Sequence, residues 1–229
     1  MNSIIEKSYN PSSAYHWYSR AWHIYKYNCV NLIIPVIIVN MPVWVIWFFG
    51  ARPHVGEVCK LYQLFCGSIL YIGCIYYCLQ IVRGKIAHYK YLIAGFKCYP
   101  KLLFTIIIFS FVVTIGFLIF VIPGLVVFIT YFFSMIVVID KRMSILESFK
   151  LSSMIIKHKK IQLLGLCLLY MPFALIQFLL NRAIIYDHFY VYDPIIQGLV
   201  LLYILFVFAV KPYLWIVFAI AYDYLLKRI

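Results

Sequence analysis

Long segments almost free of charge alternate along this chain with short ones dense in lysine and arginine, and nothing else in the sequence restricts the fold as strongly. A helix needs about 20 mostly apolar residues to cross a hydrocarbon core of roughly 30 Å. Inside lipid the backbone amides must be satisfied within the element itself, so continuous apolar runs of this length read as helices. Six spans are drawn, at residues 29–50, 58–82, 101–122, 124–139, 161–180 and 195–222. The expected fold is an all-α polytopic membrane helix bundle, built as three hairpins on cytoplasmic amphipathic helices. The fourth span is the shortest, and the Pro123-Gly124 pair before it reads as a tight turn. Segments three and four therefore form either a hairpin or a re-entrant pair, and the distribution of charge favours the hairpin.

Composition agrees with lipid as the solvent. Of 229 residues 66% are hydrophobic and 12% charged, against roughly 25% charged in a soluble domain. Six spans use about 120 residues, which leaves short connections and one membrane domain over 1–229. The first apolar run begins near Cys29 after a polar, aromatic stretch and lacks a small-residue cleavage site, so no cleavable leader is expected.

The cations set the orientation. Three precede the first span (Lys7, Arg20, Lys26), five lie between spans two and three (Arg83, Lys85, Lys90, Lys97, Lys101), and six lie between four and five (Lys141, Arg142, Lys150, Lys157, Lys159, Lys160). Lys227 and Arg228 close the chain, whereas the opposite connections hold only Arg52 and Arg182. Sixteen against two is a strong positive-inside bias and places both termini in the cytoplasm. The net charge of +13 sits next to apolar runs, so the expected partner is anionic membrane lipid, with other membrane proteins or a second copy as further partners. Nucleic-acid binding needs a water-facing basic patch, for which the chain has little room, and is not expected. Candidate headgroup contacts are Arg20, Lys26, Arg83, Lys85, Lys150, Lys157, Lys159 and Lys160. The 21 tyrosines and five tryptophans suit the two headgroup levels.

Each basic segment carries amphipathic character. In the first, Ala14, Tyr18, Ala21, Trp22 and Tyr25 share a helical face. In the third, Ser144-Ile145-Leu146-Glu147 reads as a capping box that starts a helix setting Ile145, Leu146, Phe149 and Ile156 against Glu147, Lys150 and Lys157. The middle one is less regular. A basic segment followed by two spans recurs three times, which is either a weak internal repeat or three similar lead-in helices.

The stretch from Gly116 to Leu169, with Pro123-Gly124, Asp140, Glu147-Ser148, Ser152 and a basic end at Lys157 to Lys160, resembles a group of bacterial inner-membrane proteins. The group includes the YciC-like proteins and the membrane domain attached to some glycerophosphodiester phosphodiesterases. Ala21-Trp22-His23-Ile24-Tyr25-Lys26 and Ala221-Tyr222-Asp223-Tyr224 are similar to its ends. Ser148, where that group more often shows Ala, and the high Tyr and Cys content are departures. The resemblance implies an all-helical membrane fold and carries no activity.

A few polar residues lie where lipid disfavours them. Lys211 follows 16 residues of the sixth span, and a central lysine costs roughly 2.5–3.5 kcal/mol on insertion scales. It lines a path or meets a partner, or else the span ends beside it and the lysine snorkels. Asn31, Asn40 and Gln177 are candidates for interhelical hydrogen bonds or a polar lining. Cys59, Cys66, Cys74 and Cys78 share one arc of span two. Thiolates on successive turns cannot converge on one zinc, so the arc reads as a small-residue stripe for close helix approach. No catalytic motif, cofactor signature or paired carboxylates are found. The functional expectation is a non-enzymatic membrane protein that organises or assists envelope components. The alternative is a small permease or channel with Lys211, Asn31 and Asn40 along its path.

Overall fold

In a computed structural model the described residues are 14–49, 61–86, 88–157, 159–168 and 194–228, with isolated helical positions at 58, 172 and 175–176. They form an all-α bundle without strands among the described residues. The helices are α1 (Ala14–Phe49), α2 (Ser68–Val82), α3 (Ala94–Lys97), α4 (Tyr99–Ile119), α5 (Val121–Tyr131), α6 (Ser134–Lys141), α7 (Ile145–Ile156), α8 (160–168) and α9 (Pro194–Leu226). A π-helical turn at Gln63–Gly67 leads into α2. Among the described residues five segments are long and apolar enough to cross a membrane: Tyr15–Met41, Leu64–Val82, Tyr99–Ile119, Val121–Lys141 and Val207–Leu226. Of the expected span at 161–180, only its first part, in α8, and three later positions are described, and Gln177 lies outside the described residues.

The basic lead-in and the first span are one helix with a break. Asn28 leaves helical geometry (φ −120°, ψ 16°), and its side-chain amide donates to the Ile24 carbonyl at 3.0 Å, so a side chain competes with the helix ladder at the bend. Before the break, Trp17 and Tyr18 pack on Tyr224 and Tyr213, and Trp22 and Tyr25 also meet Tyr213. After it, α1 runs antiparallel to α2: the Tyr77 hydroxyl donates to the Asn31 carbonyl at 3.2 Å and Cys74 lies 3.9 Å from the Pro35 carbonyl. Cys74 and Cys78 are buried at this crossing, where small side chains let the two helices approach.

The reversal between α4 and α5 corrects the expected position of the turn. It falls on Phe120, which is extended (φ −163°, ψ 153°), while Pro123 and Gly124 sit inside the first turns of α5. A proline there is tolerated because the first amides of a helix have no intrahelical acceptor. The fourth span gains length as a result and runs from Val121 to Lys141. Gly116 and Gly124 let the two backbones meet: a Cβ on Gly116 would come 2.9 Å from Gly124 Cα. Leu118 through Ile122 at the hairpin tip are all exposed apolar residues, a surface suited to lipid and poorly suited to water.

The capping box of α7 is formed, with the Ser144 amide donating to Glu147 at 3.0 Å. Its buried face agrees with the expected one at Ile156 and differs from it at Leu146. Ser148, Ser152, Ile155 and Ile156 are buried, while Leu146 is exposed. The serines permit close approach, and Ser152 donates to the Thr130 carbonyl of α5 at 2.9 Å.

Candidate functional site

The helices α2, α6 and α9 end at one place. The helix α2 stops in a Schellman motif, in which Gly84 adopts φ 74° and the amides of Gly84 and Lys85 return to the Ile81 and Gln80 carbonyls. That stop leaves Arg83 at the helix end. Its guanidinium forks onto Asp140 near the end of α6 at 2.5 and 2.9 Å, and its Nε donates to Asp223 of α9 at 2.9 Å. The Tyr222 hydroxyl donates to Asp140 at 3.1 Å, and Lys227 pairs with Asp223 at 2.8 Å. The two carboxylates are 4% and 8% exposed, so they are dry enough for the pairing to matter. The hydrogen bonds that Arg83 donates to Asp140 above all, and also to Asp223, raise its pKa above the usual value. Two cations and two carboxylates balance, and the guanidinium fork fits planar carboxylates in a way that an ammonium cannot.

Arg83 is thus a tie between spans, engaged with carboxylates rather than standing free as a headgroup contact. The other candidate contacts Arg20, Lys26, Lys85, Lys150, Lys157 and Lys160 are exposed, and Lys159 is half-buried. Arg20 and Lys26 lie in α1, Lys85 follows α2, Lys150 lies in α7, and Lys157, Lys159 and Lys160 mark the junction of α7 with α8.

Beside the tie lies a cleft of about 450 Å³, lined among others by Tyr76, His88, Lys90, Lys97, Asp140 and Arg142. A second hollow of about 280 Å³ shares Lys97, Cys98 and Arg142 with it and adds Pro100 and Lys101. Arg142 caps α6 with left-handed backbone (φ 54°, ψ 28°), the one non-glycine residue at positive φ among those described.

The second polar feature is within the spans. Lys211 Nζ donates to Asn40 Oδ1 at 3.1 Å, and Asn40 Nδ2 donates to the Val36 carbonyl at 2.7 Å. Helix α9 continues without interruption through Lys211 and Pro212, so the span does not stop at this lysine. Asn40 is buried, whereas Asn31 is exposed and contributes only its carbonyl, to Tyr77. The expected trio is therefore a pair. Among the described residues no group of three His, Cys, Asp or Glu is placed to hold a metal ion.

Sequence reasoning assigned Arg83 to the lipid and left Asp140 and Asp223 as parts of a resemblance. The available signal was their placement: each is an ionisable residue at the same end of an even-numbered span. No protein-family model, curated protein or solved structure matches the chain.

Proposed function

We propose that this chain is an integral inner-membrane protein without a catalytic site, which organises or assists other membrane components by engaging anionic headgroups at its cytoplasmic face. The reading rests on one observation above the rest, the tie from Arg83 to Asp140 and Asp223. It gathers the ends of three spans on one side, and the same side carries the Lys- and Arg-rich connections that the positive-inside bias assigns to the cytoplasm. Each Lys or Arg near an anionic leaflet contributes about 1 kcal/mol of attraction, so many exposed cations on one face favour such lipids collectively. The resemblance to the YciC-like group supports a membrane fold and adds no activity.

Lipid retention tests the reading. Native mass spectrometry of protein extracted in mild detergent is expected to find anionic phospholipid retained above its share of the membrane; retention in proportion to bulk composition contradicts it.

The Lys211–Asn40 pair favours a second reading, a small permease with that pair in its path. In a variant lacking the native cysteines, Lys211→Cys then reacts with a water-soluble thiol reagent, and liposomes containing the protein release a trapped solute. An inert thiol and tight liposomes leave Lys211 as an interhelical clip.

A further inference from the structure

We propose that the cleft under Arg142 is a binding site for a phosphate-bearing ligand, with the two adjoining hollows matching two phosphate groups. The site deepens the headgroup reading by giving it a location. Lys90, Lys97 and Arg142 line the larger hollow, and Lys97, Lys101 and Arg142 line the smaller. None of Lys90, Lys97 and Arg142 has a carboxylate at salt-bridge distance among the described residues. Asp140 is the one carboxylate in the wall, and both its oxygens are taken by Arg83 and Tyr222. The acceptors of Asp140 are thus engaged, and of the lining cations Lys101 alone also feels the Glu147 carboxylate. Lys90, Lys97 and Arg142 are exposed around this concave space, and phosphate is an anion that guanidinium and ammonium groups bind as fork and point charge.

Arg142 carries the argument further. A left-handed helix cap favours glycine or asparagine, and an arginine there keeps a strained backbone. Strain of this kind persists where a side chain has a use that the backbone alone does not explain. Arg142 lines both hollows, where a guanidinium has such a use. Tyr76 and Tyr91, which also line the larger hollow, meet edge to face at 6.0 Å. Anionic lipid headgroups and soluble phosphates share the chemistry, and the position at the ends of the spans gives either access.

The test uses the full chain in a neutral detergent and in nanodiscs. Nanodiscs of phosphatidylcholine alone are compared with phosphatidylcholine containing a minority of cardiolipin, and inorganic pyrophosphate is the soluble probe in detergent. The unaltered protein is expected to bind cardiolipin, and Lys97→Gln and Arg142→Gln each weaken binding about tenfold, the range for one lost charge-assisted hydrogen bond. Arg142→Gly guards against misfolding as the cause: glycine suits the left-handed cap, so this variant melts no earlier than the parent yet loses the same affinity. Stabilisation by pyrophosphate in the parent and not in the variants, without a cardiolipin preference, upholds the cleft with a soluble ligand and removes the headgroup reading. A cardiolipin preference that survives all three substitutions overturns the cleft and leaves the headgroup reading standing. Absence of any response to either probe overturns both.

Discussion

At the scale of single residues, polar ties are disproportionately important because lipid provides no hydrophobic drive to bring helices together. Association in a bilayer comes from packing and from interhelical hydrogen bonds. Arg83 is the clearest case, since one guanidinium satisfies two nearly dry carboxylates from two other spans. Removing one partner of such a pair leaves an uncompensated buried charge and costs about 3–5 kcal/mol. Arg83→Gln is accordingly expected to lower unfolding stability in detergent by about 3 kcal/mol, read from denaturant titration, and Arg83→Lys to recover only part of it because an ammonium cannot fork. A loss within 0.5 kcal/mol, the size of an ordinary surface substitution, places the guanidinium in the headgroups after all. Lys211 and Asn40 test the second tie. Their double-mutant cycle with Lys211→Met and Asn40→Leu is expected to show a coupling of roughly 0.6–1.7 kcal/mol, while zero coupling separates them. Lys211 and Asn40 were both legible as polar positions in apolar runs and were grouped with Asn31, but their direct pairing was not, because sequence spacing does not say which face of one span meets another. The carboxylate partners of Arg83 were not legible for a related reason: a cation after an apolar run looks the same whether it faces lipid or a carboxylate.

At the scale of elements, local rules were legible where the chain's own neighbours decide the outcome. The Ser144–Glu147 box forms as its spacing predicts. The Ser144 amide, and then its hydroxyl, hold the exposed Glu147 carboxyl below its usual range, so its contribution to α7 is present above the ordinary Glu value of about 4.3 and lost as pH falls through the lower folded value. Helix content of the parent, followed by circular dichroism on acidification, is expected to hold through pH 5 and drop further down, and Glu147→Gln to flatten that step. A step of equal size in Glu147→Gln assigns the titration elsewhere. Faces that depend on tertiary partners were less legible. Hydrophobicity pointed to Leu146, yet α7 buries Ser148 and Ser152, because close backbone approach selects small residues over large apolar ones. The Pro123-Gly124 signal was real but displaced, marking the start of a helix just past the reversal. The tight crossing of Gly116 on Gly124 yields a further expectation. Gly116→Leu overfills the hairpin and costs about 1–3 kcal/mol, whereas Gly165→Leu, with open space around its Cβ position, leaves the melting temperature nearly unchanged; equal effects refute the close crossing.

At the scale of the whole molecule, alternation of charge and hydropathy carried the architecture. It marked an all-α bundle, and it marked the segments that become α1, α2, α4, α5 with α6, and α9. The assembly adds a geometric restraint that charge counting lacks: Arg83, Asp140 and Asp223 meet only if spans two, four and six finish on the same side. Orientation and common sidedness are then measured together. Single cysteines replacing Lys85, Arg142 and Lys227 in a variant without native cysteines are exposed to a membrane-impermeant maleimide, on intact cells and on inside-out vesicles. All three are expected to label only in the inside-out vesicles. Labelling of all three from the outside of intact cells contradicts the proposed cytoplasmic orientation, and labelling of only one or two from the outside contradicts the common end on which the tie and the phosphate cleft depend.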